Sequence, residues 1–280
     1  MQAWSRARLW SGGSSPHQVP GSSAMRLTDW LAEEERAAER VYSVADVTET
    51  SDRPADLLQY LAELISRAKI DPIYLDRIVA ALGWDAVRAR LLPGRPRVRR
   101  GEFGEALSTA ILEELEDWTV PIVKLRYQVD PEQTQPGTDL LAVSRDGPDI
   151  DDILFGESKL RGAIDNRAAV DAHDQLAEDK KKQFADILVF VLARLLEQQS
   201  DLIDPLTAYL ARRDADAKGS YGIFLTFDDA AWRESVLDEL DDEPDLLDPV
   251  GVRVIRLHDL RELADTACAA AGLDVIDDDD

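Results

Sequence analysis

Cysteine, histidine, long apolar runs and positive charge are all scarce in this 280-residue chain, and each shortage excludes something. Cys268 is the only cysteine, so no disulfide can close within the chain, and the sequence suits a reducing, cytoplasmic setting. His17, His173 and His258 lie far apart, which argues against a zinc site. No apolar stretch approaches the length that a membrane-spanning helix needs, so no membrane partner is expected. The net charge of −24 weighs against tight, unaided binding of nucleic acid, because phosphate binding needs Lys and Arg to displace counterions.

The charge is unevenly placed. Much of the acid falls in Asp238 to Asp248 and in Asp277 to Asp280, runs that read as solvated loop and tail. Arg88, Arg90, Arg95, Arg97, Arg99 and Arg100 form one basic group and Lys180, Lys181 and Lys182 another, so local grips on phosphate survive the acidic total. An arginine run is most often a solvated linker. Placed before a candidate site helix, Arg97, Arg99 and Arg100 are also candidates for phosphate contact.

Composition divides the chain. Residues 1–24 are rich in Gly, Ser and Pro without periodicity and read as disordered; they lack the apolar core of a signal peptide, and Met25 is a second place for translation to begin. Residues 25–95 read as a helical accessory region. One helix runs through Trp30, Leu31 and Glu33 to Glu35, a second carries Leu57, Leu58, Leu61, Leu64, Ile65 and Ala68, and a third starts at Asp71-Pro72 with Leu75, Ile78, Val79 and Leu82 inward. A turn at Leu82-Gly83-Trp84 leads to a short helix ending at Leu92. Residues 96–273 form the main domain, and 274–280 are an acidic tail.

The main domain is organised around residues 136–159. Leu140 to Val143 and Ile153 to Phe155 read as two strands joined by a polar turn, that is, a hairpin. Side-chain alternation sends Ile153, Phe155, Glu157 and Lys159 to one face and Leu154, Gly156, Ser158 and Leu160 to the other. Both faces look buried, so a carboxylate and an ammonium there must be paired or hold an ion. Asp139 opens the partner strand and lies beside Glu157, which makes a divalent-cation site that activates water. The alternative is a plain ion pair between Glu157 and Lys159.

Before the hairpin, a helix buries Phe103, Leu107, Ala110, Ile111 and Leu115; Glu102 or Glu105 on it completes the site, or both merely favour its first turn. A strand is expected over 120–127, a long helix over 168–199, strands over 221–227 and 252–257, and helices over 230–240 and 260–271. His173 on the long helix is a tempting base, but without a visible partner it reads as a surface or structural residue. From Gly101 the order is α-β-β-β-α-β-α-β-α, an α/β fold with a mixed sheet flanked by helices.

A helix glutamate, an aspartate opening a strand and E-x-K on the next strand together resemble the PD-(D/E)xK nuclease superfamily, with a restriction-endonuclease-like sheet. More narrowly, R-x-x-G-E-F-G-E, then G-T-D, then F-G-E-S-K-L is similar to the HamA family, the nuclease subunits of Hachiman antiphage systems; the likeness covers Arg97 to His173. The superfamily's proline stands at Pro136, three residues before Asp139. The resemblance implies that Asp139, Glu157 and the Ser158 carbonyl bind Mg²⁺ (or Mn²⁺), that Lys159 and Glu105 or Glu102 assist, and that DNA is the substrate. It further implies a HamB-like helicase partner and a role in defence against phage. Another restriction-type nuclease and a non-catalytic scaffold are the competing readings.

Overall fold

The computed structural model describes residues 25–272 apart from positions 38, 51, 84–85, 88–92, 129, 131, 133–136, 183 and 213–218. The expected disordered segment 1–24, the acidic tail, Trp84, most of the short helix ending at Leu92, and Pro136 therefore lie outside the described residues.

Six strands form one sheet in the order β1-β2-β6-β5-β4-β3. They are β1 (Leu31–Glu35), β2 (Ser43–Glu49), β3 (Leu140–Asp146), β4 (Asp149–Arg161), β5 (Ser220–Asp228) and β6 (Val250–Leu257). The centre is parallel, β2 to β6 to β5 to β4, and an antiparallel strand closes each edge. The sheet is mixed, as the sequence predicts. Parallel strands are covered on both faces and so read as near-continuous apolar runs, which explains why Ser220 to Phe227 are all buried.

Helices cover both faces. On one, α4 (Ala168–Lys182), α5 (Phe184–Glu197), α6 (Ile203–Arg212) and α7 (Ser235–Asp241) pack over Ile153, Phe155, Ile223, Leu225, Val252 and Val254. On the other, α1 (Leu57–Lys69), α3 (Pro96–Glu114) and α8 (Leu260–Ala270) pack over Leu140, Ala142, Leu154, Phe224 and Ile255. The odd and even residues of β4 thus enter two separate cores, as the period of a strand requires. A further helix, α2 (Pro72–Leu82), follows α1. Its Leu82, expected inward, is exposed.

The structure corrects two elements. Residues 31–35 are a strand and not a helix. The helix-favouring Leu-Ala-Glu-Glu-Glu is overridden by antiparallel pairing with β2, Leu31 opposite Glu49 through Glu35 opposite Ala45. These two strands extend the sheet from a region that reads as helical. Nor do residues 120–127 form a strand. Thr119 exchanges two backbone bonds with Val143 (3.0 and 2.8 Å), but the next N–H on that side of the chain belongs to position 121, a proline with no donor. The ladder stops there and Lys124–Tyr127 curls into a 3₁₀ turn. The span read as one long helix is described as α4 and α5 on either side of position 183, and α6 was not anticipated.

Candidate metal centre on the edge hairpin

The hairpin joins Leu140–Asp146 to Asp149–Arg161 with Leu140 opposite Gly156. Continued by one residue, that register sets Asp139 opposite Glu157, and directly opposed residues of an antiparallel pair point to the same face. Gly137 turns the chain into β3 with φ of 95°, a conformation only glycine adopts freely. Thr138 Oγ1 then donates to the Gly156 carbonyl at 2.8 Å and pins the strand entry.

Asp139 is held from two sides. Its Oδ2 accepts from the Ser158 backbone N–H at 3.2 Å and its Oδ1 from Lys124 Nζ at 3.3 Å. Lys124 also donates to the Gly137 carbonyl at 2.7 Å. The N–H and C=O of one strand residue project to the same side, so the Ser158 carbonyl, like its N–H, projects from β4 toward the β3 side. On the opposed strand, Lys159 Nζ donates to Glu157 Oε1 at 2.6 Å. The other oxygen, Glu157 Oε2, is buried and has no hydrogen-bond partner among the described residues.

The helix α3 brings in the third acid. Gly104 lies against β4, where an added Cβ would stand 3.2 Å from Leu160 Cβ and 3.4 Å from Ser158 Oγ. That close approach carries the next residue, Glu105, to the recess it lines with Asp139 and Lys124. Glu102, one turn earlier, faces elsewhere and is buried against the ammonium of Lys69 on α1. Of the two glutamates that the sequence leaves open, Glu105 is the one beside Asp139.

The electrostatics follow from this crowding. Burial first, then the neighbouring Asp139 charge, pushes the Glu157 carboxyl up to about 8, against the pull of Lys159. The same two causes in the same order hold Glu105 well above the ordinary carboxylate range. Three acids thus lie within electrostatic reach of one another, with Lys124 beside Asp139 and Lys159 beside Glu157. An orphaned buried oxygen among carboxylates is a costly arrangement that a hard divalent cation relieves, and an all-oxygen donor set suits Mg²⁺ or Mn²⁺. The residues present fit such an ion.

The basic groups fare unequally. Arg97 is exposed at the start of α3. Arg99 is buried, and Arg100 donates to both oxygens of Asp265 on α8 (2.8 and 2.5 Å), so these two brace the helix in this structure. Lys180 and Lys181 are exposed on α4, with Lys180 over the Tyr221 ring at 5.1 Å; the side chain of Lys182 is outside the described residues.

Lys124 is the residue that sequence reasoning missed, because it falls in a segment that alternates like a strand. His173 is structural but not on the surface: it is buried, and Nε2 accepts from the Leu247 N–H at 3.1 Å. Ligand atoms of His173, Asp174 and Glu243 lie within 4.8 Å of one another. Since Nε2 accepts, a neutral ring carries its proton on Nδ1, 3.5 Å from Asp174 Oδ1, and neither nitrogen has a lone pair left for a cation.

A mixed α/β sheet whose edge hairpin gathers acids and lysines above a helix glutamate is the class of protein that fold and site define. The HamA family model matches residues 26–263, and the chain belongs to that family. It is also similar to the Hachiman protein HamA of Bacillus cereus, 30% identical over 111 residues, which are 40% of this chain and 38% of that protein. Among the described residues no helix is long and apolar enough to cross a membrane.

Proposed function

We propose that this protein is a metal-dependent nuclease hydrolysing phosphodiester bonds of DNA, the effector of a Hachiman-type antiphage defence system restrained by a partner helicase. The observation that carries the chemistry is the buried Glu157 Oε2 opposite Asp139, without a partner among the described residues, with Lys159 on the other oxygen of the same carboxylate. Family membership and the Bacillus cereus relative support the defence role.

Asp139, Glu157 and the Ser158 carbonyl would hold Mg²⁺ or Mn²⁺, which when bound supplies charge neutralisation and an acidified water. Lys159 orients the attacking water and offsets charge on the scissile phosphate. Lys124 keeps Asp139 in place, and Glu105 accepts a proton or a water hydrogen bond from the α3 side. Arg97, Lys180 and Lys181 are exposed and supply backbone contacts to the substrate. With a net charge of −24, delivery onto DNA falls to the partner.

The test is plasmid cleavage with Mg²⁺ or with EDTA, in the presence of a helicase encoded beside the gene. Cutting that needs the metal and falls by roughly 10²-fold or more in Lys159→Ala, with an unchanged circular dichroism spectrum, supports the reading. Cleavage that persists in EDTA, or in the variant, overturns the site. No cutting of DNA or RNA under any of these conditions favours a scaffold whose Glu157–Lys159 pair is structural.

A further inference from the structure

The α4 helix presents a buried stripe to the sheet, Ala168, Ala169, Ala172 and Leu176, at helical spacing over Ile153 and Phe155. Asp179 continues this stripe one turn on and is 1% exposed, yet it is a carboxylate. It therefore follows the side chains that face the odd residues of β4, the face to which Glu157 points. The neighbouring Lys180 lies over Tyr221, the β5 residue paired with Phe155, which places this end of α4 beside the middle of β4.

Only one oxygen of Asp179 is engaged. Gln175 Nε2 donates to Oδ1 at 3.3 Å, while Oδ2 is buried without a partner among the described residues. A buried carboxylate oxygen left unmet is costly. Burial raises its carboxyl, Gln175 and Lys124 draw it down, and Asp139 and Glu178 push it up, so Lys124 and Asp139 lie within electrostatic reach of it. Lys124 and Asp139 are both residues of the metal centre.

We propose that Asp179, held in orientation by Gln175, is a positioning residue of the metal site, its free oxygen accepting a hydrogen bond from a water of the divalent ion bound at Asp139 and Glu157. The inference rests on the proposed metal-dependent reading and adds to it a contribution from α4, on the face of the sheet opposite α3. Outer partners of this kind orient the ion's waters and raise its affinity by roughly 10- to 100-fold. The spacing Gln175-x-x-x-Asp179 is what allows the amide to reach the carboxylate, since residues four apart are neighbours on a helix.

Mn²⁺ binding to the full chain, followed by electron paramagnetic resonance, tests this without any cleavage assay. Wild type should bind, and Glu157→Gln should lose that binding, which assigns the signal to this centre. Asp179→Asn keeps the shape and the bond to Gln175 but removes the charge; it should weaken Mn²⁺ binding by about 10-fold and leave the thermal midpoint of the metal-free protein unchanged or higher. Should that variant fail to fold, Gln175→Met, which frees the carboxylate without neutralising it, carries the test with a smaller weakening in the same direction. Wild-type binding with both variants inside a factor of two of it overturns the role of Asp179 and leaves the metal centre standing. Absence of Mn²⁺ binding in wild type overturns both.

Discussion

Glu102 and Glu105 sit three residues apart on α3, and the protein treats them in opposite ways. Glu102 is buried against the Lys69 ammonium, which also donates to Gln128 Oε1 at 2.6 Å, so a charge brought in from α1 meets its opposite. Glu105 meets Asp139, Glu102 and Glu157, acids like itself, against the pull of Lys124. Burial with a partner ties helices together, whereas burial without one is retained only where something else supplies the missing charge. The comparison separates the part of α3 that ties helices together from the part that faces the proposed metal centre.

The strongest way to break that contrast is to remove one partner on each side. Lys69→Met leaves Glu102 buried without its cation, and should cost about 3–5 kcal/mol of unfolding free energy in urea titrations. The double variant Lys69→Met/Glu102→Leu should recover most of this loss, because an apolar pair of similar volume needs no desolvation. Glu105→Gln, made in the metal-free protein, should hold stability or raise it by relieving repulsion from Asp139. If Lys69→Met costs less than about 1 kcal/mol, the pair is not the architectural element its burial implies.

A pH series sharpens the same contrast on the site side. Glu157 rises from 4.5 to about 8 through burial and then the Asp139 charge. Between those values the folded protein holds a proton that the unfolded chain releases. The contribution to stability is therefore complete below about pH 4.5 and is lost as pH rises through about 8. In the metal-free protein unfolding free energy should fall by on the order of 2 kcal/mol across this window, and Glu157→Gln should flatten that fall. Saturating Mn²⁺ should reverse the slope, since the ion competes with the proton for the same oxygen and binds better as pH rises. A wild-type profile that Glu157→Gln leaves unchanged would place the titrating group elsewhere.

The hairpin was legible because its signals are local. Alternation in β4 and the D…E-x-K pattern fixed which side chains share a face, and the register opposite Gly156 agrees with it. What was not legible depended on contacts distant in sequence. β1 is composed of helix formers, and only its pairing with β2 makes it a strand. The choice between Glu102 and Glu105 turns on Lys69, thirty-three residues away on another helix. Lys124 and Asp179 carry no pattern, the first hidden in an apparent strand, the second beside a lysine triplet that reads as a grip on phosphate. Arg99 and Arg100 show the converse, since a basic run at sequence level turns out to spend one side chain in the interior and one on Asp265.

The smallest effect concerns how α3 delivers Glu105 at all. Gly101 and Gly104 are one turn apart on the same helix, and a Cβ at Gly101 meets nothing within 4 Å while one at Gly104 meets Leu160 Cβ at 3.2 Å. Gly101→Ala should therefore show only the helix-propensity gain, about 0.5–1 kcal/mol, with cleavage unchanged. Gly104→Ala gains the same propensity but presses α3 away from β4 by a few tenths of an ångström, so the two terms offset and net stability should change by less than about 1 kcal/mol. Cleavage and Mn²⁺ affinity should nonetheless fall by up to several-fold in Gly104→Ala, because the displaced helix carries Glu105 with it and uses up much of the roughly half ångström of error that a proposed site of this kind tolerates. Equal activity in the two variants would mean that contact between α3 and β4 does not set the position of Glu105, and that the recess tolerates more slack than its packing indicates.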